Sequence, residues 1–144
     1  MDCEIHEMVP TAVAYNMLRA AVDWGTYEHL LIDTALPHSL YCVCALLQDQ
    51  VIGMARIIGD GGLVYYVQDV IVLPEYQRQG IGTRLMAAII EYLRSNVSPN
   101  SVIGLMAAAG KEPFYARYGF TARPCGHLGC GMTMAPGLLL AHEV

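Results

Sequence analysis

Six residues, Gln77-Arg78-Gln79-Gly80-Ile81-Gly82, turn an apolar strand into an amphipathic helix, and that junction limits the folds open to this chain. Upstream, Val67 to Leu73 is an apolar run rich in β-branched residues and closed by Pro74, which has no N–H to give a ladder. Downstream, Ile81, Leu85, Ile89 and Leu93 recur at every fourth position, one face of a helix. Strand, glycine turn and helix in that order gather free backbone N–H groups and the positive end of a helix dipole at one point, a seat for phosphate. Gly80 and Gly82 let the backbone curl and let an anion approach where a Cβ would stand in the way.

Two nucleotide-binding patterns share this logic and both fail. A P-loop needs Lys-Ser/Thr after its last glycine, and Gly82 is followed by Thr83-Arg84; a dinucleotide turn needs a third glycine, and Leu85 stands there. The spacing that does match is Gln/Arg-x-x-Gly-x-Gly/Ala, approached through Val72-Leu73-Pro74-Glu75-Tyr76. Later come Phe114-Tyr115-Ala116-Arg117-Tyr118-Gly119-Phe120. In these pieces, which run from about Val51 to Phe120, the chain resembles the GNAT superfamily of acetyl-CoA-dependent acyltransferases. The second stretch looks like that family's FYxxxGF helix and strand.

At 144 residues, 55% of them hydrophobic, the chain has the size of one domain, 1–144, with a proper core. Its formal net charge of −5, with basic residues thinly scattered, speaks against a nucleic-acid surface and favours small cationic substrates. No apolar run has the length of a membrane span, and Met1-Asp2-Cys3-Glu4 has neither part of a signal peptide, so a soluble, cytoplasmic protein is expected. Five cysteines make an odd count without a disulfide framework, which points to reduced thiols, and Cys42 and Cys44 share one strand face as core residues. Cys125, His127 and Cys130 are three soft ligands in six residues. A tetrahedral site wants a fourth at a defined spacing, and only the distant His142 or Cys3 is on offer, so no metal is expected.

Along the chain, Cys3 to Met8 reads as an edge strand. Pro10-Thr11 opens a helix whose apolar face would be Val13, Met17, Ala21 and Trp24, stopped by Gly25. Thr26 would cap a second helix carrying Tyr27, Leu30, Leu31 and Thr34 and ending near Pro37. Tyr41 to Leu47 and Val51 to Ile58 form a buried hairpin around Gln48-Asp49-Gln50, with Arg56 a charge inside its second strand, either solvated, salt-bridged or touching ligand. Gly59 to Gly62 turns into a central strand, Leu63 to Leu73. The long helix is followed by a polar loop, a strand over Val102 to Met106 and a short helix from Lys111-Glu112-Pro113 to Gly119. Short closing strands are expected near Thr121-Ala122 and Met132-Thr133-Met134.

Strands alternating with helices after an antiparallel start give an α/β domain with one mixed sheet. The resemblance implies the acyl-CoA N-acyltransferase fold, a central mixed sheet flanked by helices, with a splay between the fourth and fifth strands that takes the pantetheine arm. The first two helices would wall the acceptor site. By the same resemblance the backbone of Val70, Ile71 and Val72 pairs with pantetheine, Gln77, Arg78, Gln79, Gly80, Ile81, Gly82 and Thr83 hold the pyrophosphate, and Phe114 lies by the cofactor. Many relatives have an asparagine and an alanine ahead of Phe-Tyr; Ala108 and Lys111 occupy those positions. Lys111, unusual at a helix start on dipole grounds, either reaches the cofactor or substrate or is solvated.

A primary alkylamine is largely protonated at neutral pH, so a base or a water path to one is required. Gln68 lies where relatives often carry a carboxylate or histidine facing the acceptor, and glutamine cannot titrate. Asp69, on the opposite strand face, and a water relay both stay open as the base, and Asp69 otherwise has a structural role such as holding a turn; Tyr66 shares the face of Gln68. The family's Phe-Tyr tyrosine implies Tyr115 as the general acid, with Tyr118 as its rival on the same helix side; the alternative for both is a core aromatic whose hydroxyl is satisfied by neighbours. The resemblance thus implies acetyl-CoA as cosubstrate and a small amine as acceptor by direct attack, and it admits a homodimer paired through the C-terminal strands; on charge and on the lack of a long apolar run, neither nucleic acid nor membrane is expected as partner. A protein acetyltransferase and a non-catalytic acyl-CoA-binding module are the competing readings.

Overall fold

A single sheet carries the architecture. In the computed structural model, which describes residues 2–140, the strands are β1 (Cys3–Glu7), β2 (Tyr41–Leu47), β3 (Gln50–Gly59), β4 (Val64–Val72) and β5 (Val102–Leu105), adjacent in chain order. β1 to β4 are antiparallel neighbours, whereas β5 runs parallel to β4 because the helix α3 (Ile81–Asn96) carries the chain back between them. The sheet is therefore mixed, as the alternation of elements implied.

Local chemistry sets the turns. Leu47 pairs with Gln50, leaving Gln48 and Asp49 at φ 50° and 64°, the two left-handed residues whose twist suits a two-residue hairpin. Between β3 and β4 the carboxylate of Asp60 accepts from the amides of Gly62, Leu63 and Val64 at 2.9, 2.7 and 3.0 Å, and these donors lower its pKa. The core combines Val43, Ile52, Met54 and Ile57 of the sheet with Leu85, Met86, Ile89 and Leu93 of α3. Each large apolar side chain so buried contributes about 1.5–3 kcal/mol. Cys42 and Cys44 are buried together, as their spacing indicated.

The first helix corrects the sequence reading. α1 (Ala12–Ala21) is capped by Thr11, whose hydroxyl oxygen accepts from the Ala14 amide at 3.1 Å, but it buries Ala12, Tyr15 and Leu18. Val13 and Met17 are left 58% and 51% exposed, and Trp24 lies beyond the helix end. The chain offers two apolar stripes, and the one holding Tyr15 faces inward because its hydroxyl finds a buried carboxylate, described below. α2 (His29–Ala35) starts after Glu28 rather than at Thr26, and buries Ile32 while Leu30 and Leu31 face out.

The chain divides into two units, Met1–Leu105 and Met106–Val144. The second holds α4 (Glu112–Ala116) and α5 (Pro136–Leu140). The closing strands expected near Thr121-Ala122 and Met132-Thr133-Met134 do not form; Cys125 and Leu128 share a single bridge instead. Pro124, Gly126, Gly129, Gly131 and Pro136 crowd this stretch, and such residues withhold ladder donors and weaken strand pairing. No helix among the described residues is long and apolar enough to cross a membrane.

Candidate active site

β4 is irregular where the chemistry is expected. Met54 pairs with Ile71 and Arg56 with Gln68, so Asp69 and Val70 together oppose Ala55 alone, a bulge with Asp69 at φ 55°. Gly53 makes the neighbouring approach feasible, since a Cβ there would stand 2.9 Å from the carbonyl oxygen of Ile71. β5 pairs only with Val64–Val67, so Val70, Ile71 and Val72 run on past it, with β3 on one side and no described strand on the other. The fourth and fifth strands thus part company where the resemblance implies a splay.

From the end of β4 the chain makes one 3-10 turn, Pro74–Tyr76, and enters the glycine turn. Gln77 and Gln79 fold back onto this approach, donating from Nε2 to the carbonyls of Val72 (2.9 Å) and Glu75 (3.3 Å). They fix the turn. Arg78 and Gly80 are left-handed at φ 63° and 82°, and Gly80 caps α3 without a side chain to accept from the first helical amides, which have no acceptor within a helix. A Cβ on Gly80 would meet no atom within 4 Å: the space over the turn is open. A left-handed glycine at the start of a 16-residue helix, with open space where its Cβ would stand, suits a pyrophosphate.

Asp69, 3% exposed, points into a cluster. Its Oδ2 accepts from the Tyr15 hydroxyl at 2.7 Å and from Nε of Arg56 at 2.7 Å, and its Oδ1 accepts from Nη1 of Arg19 at 3.3 Å. Arg56 also donates to the Ser39 hydroxyl at 3.2 Å. Burial and the bond to Asp69 push the Tyr15 phenol up to about 12, so it remains a donor. Of the readings open for Arg56, the ion pair is the one realised. Both carboxylate oxygens are engaged, which leaves Asp69 ill-suited to take a proton from an acceptor. Gln68, half-buried, sits in register with Arg56.

Tyr15 and Arg19 were missed by sequence reasoning. The available signals were an aspartate in a buried strand, which needs partners, and a Tyr and an Arg four apart on one helix face.

In the second unit, Lys111 is exposed and precedes α4, its carbonyl accepting from the Phe114 amide at 3.0 Å. The Tyr115 ring packs edge-on against Phe114 and Phe120, with centroids 5.1 and 6.2 Å away. Burial raises its pKa, so the phenol keeps its proton at neutral pH. Tyr118 packs against Phe114 at 5.6 Å, but its buried hydroxyl has no hydrogen-bond partner among the described residues, contrary to the satisfied core role expected of it. Among the described residues no group of three His, Cys, Asp or Glu is arranged to hold a metal; His142 lies outside them.

A probable acetyltransferase of unknown function from meticillin-resistant Staphylococcus aureus superposes with a TM-score of 0.86 at 28% identity, covering 92% of this chain and 98% of that one. An uncharacterized N-acetyltransferase, ycf52, of Porphyra purpurea is 28% identical over 113 residues, 76% of this chain and 64% of its own. The histone acetyltransferase TAP1 of Glycine max is 38% identical over 82 residues, 57% of this chain and 35% of that protein. The chain thus spans between about a third and two thirds of the length of these curated relatives. Residues 11–120, which hold β4, its bulge, the glycine turn and the Phe-Tyr helix, match the acetyltransferase (GNAT) family model, and the chain belongs to that family.

Proposed function

We propose that the protein transfers an acetyl group from acetyl-CoA to the primary amine of a small molecule, by direct attack within a ternary complex. The observation that carries this reading is the open, left-handed turn at Gly80, reached from the end of β4, which pairs with β3 but has no strand on its β5 side among the described residues. Amides from Arg78 to Thr83 hold the pyrophosphate, and the backbone of Val70, Ile71 and Val72 pairs with the pantetheine. Acetyl-CoA supplies an acetyl group already activated as a thioester. A backbone N–H beside the bulge stabilises the developing oxyanion, usually the largest electrostatic contribution in acyl transfer. As the new C–N bond forms and the C–S bond breaks, the amine proton leaves through water, which Gln68 can orient, and Tyr115 gives its proton to the departing thiolate. The buried free thiols Cys3, Cys42 and Cys44 favour a reducing cytosol as the compartment. A homodimer is a further expectation.

Protein amines are a second reading, favoured by the likeness to the histone acetyltransferase. Release of CoA thiol with a panel of small amines and lysine peptides decides between them. Turnover of small amines, rising with pH as more amine is neutral, supports the first. A strong preference for peptides overturns it, and tight acetyl-CoA binding without any turnover leaves a binding module.

Gly80→Val tests the cofactor seat. The side chain enters open space yet must hold a left-handed backbone, and it covers the amides. We expect acetyl-CoA Kd, measured by calorimetry, to rise about tenfold to a hundredfold, with the far-ultraviolet circular dichroism unchanged. Unaltered affinity in the folded variant would remove the turn from the binding site.

A further inference from the structure

We propose that Arg19 is a positioning residue: it clamps the α1–α2 loop to the bulge of β4, so that Trp24 and Tyr27 stand as a fixed aromatic rim on which the acceptor's carbon skeleton packs. The second half of this statement rests on the acetyl-transfer reading; the clamp itself does not.

Three nitrogens of one guanidinium serve two distant parts of the chain. Nε donates to the Gly25 carbonyl at 2.9 Å and Nη2 to the Trp24 carbonyl at 2.8 Å, while Nη1 reaches Asp69 at 3.3 Å. Its planar fork meets all three acceptors at once, which the point charge of lysine cannot do. The guanidinium carbon also lies 4.6 Å from the Tyr27 ring centroid and 5.7 Å from that of Trp24. Asn16 holds the same loop from the next turn of α1, donating to the Tyr27 carbonyl at 2.9 Å and accepting from its amide at 3.1 Å.

Both ends of the clamp include backbone in the left-handed region. The loop contains Asp23 at φ 61° and Gly25 at φ 73°, and Asp69 is left-handed at φ 55°. Arg19 grips the carbonyls that the first turn presents and the side chain that the second aims inward.

Exposure separates this device from ordinary packing. Trp24 and Tyr27 remain 38% and 47% exposed, so the core gains little from fixing them. Rings held rigid yet open, one guanidinium away from the reacting strand, are preorganised for something that arrives.

Trp24 is the only tryptophan, so its fluorescence reports the rim directly in protein without ligand. Arg19→Gln is expected to raise acrylamide quenching and lower anisotropy. It should leave acetyl-CoA Kd by calorimetry within about twofold, and raise the acceptor KM about tenfold or more with kcat changed less than about threefold. Arg19→Lys should behave like Arg19→Gln. Asn16→Ala, which leaves the Asp69 cluster whole, should loosen the rim and raise acceptor KM in the same direction, and it carries the test if Arg19→Gln does not fold. Unchanged quenching overturns the clamp. Looser quenching with unchanged acceptor KM, or with acetyl-CoA Kd rising in parallel, overturns the rim as an acceptor wall. A wild-type protein that turns over no amine overturns the acetyl-transfer reading and the wall together, and the quenching still decides the clamp.

Discussion

Tyr115→Phe is expected to lower turnover roughly ten- to a thousandfold while melting temperature and acetyl-CoA affinity hold. The leaving group is a thiolate whose conjugate acid titrates near 8.5, so a positioned donor eases its departure, and a phenol that burial keeps protonated is such a donor. Removing one oxygen leaves the ring contacts with Phe114 and Phe120 in place, so packing is spared. Tyr118→Phe is the control. It deletes a buried hydroxyl without a partner among the described residues, a change expected to be neutral or mildly stabilising and to leave turnover near wild type. Steady-state kinetics on both variants checks the assignment. Wild-type turnover in Tyr115→Phe, or the two effects reversed, would sink it.

Asp69→Asn is expected to cost about 3–5 kcal/mol of stability, read from urea unfolding, because it leaves two largely buried guanidiniums facing each other without a counter-charge. The same substitution separates two roles for this residue. Were Asp69 the general base, the variant would fold with near-native stability and lose turnover. A carboxylate that joins α1, β3 and the bulge instead shows its loss in the unfolding curve, and any fall in activity tracks the folded fraction. A stable, inactive Asp69→Asn would return the base to this position.

The two experiments touch different parts of the proposed reaction. The Asp69 cluster lies wholly in the first unit and holds the strand with the bulge; Tyr115 belongs to the second and offers a proton. The proposed reaction gives base and acid unlike means, a water path for the one and a phenol for the other.

Much of this was already written in the chain. The hairpin of β2 and β3, the central strand and α3 announced themselves because an apolar run bounded by turn residues, or an apolar period of about four, specifies its element locally, and Gly80 announced itself because glycine lets the backbone curl and an anion come close. The family followed from the same local pieces. What the tertiary structure decided was orientation. α1 carries apolar residues on two sides, and periodicity chose Val13 and Met17; the helix buries Tyr15 and Leu18 because Tyr15 and Arg19 answer a carboxylate fifty residues or more away. In the sequence Asp69 stood open as a base or as a structural residue beside Gln68. Its bulge, its left-handed backbone and its three donors exist only once β3 and α1 are in place, since a buried charge takes its chemistry from the partners that folding brings to it.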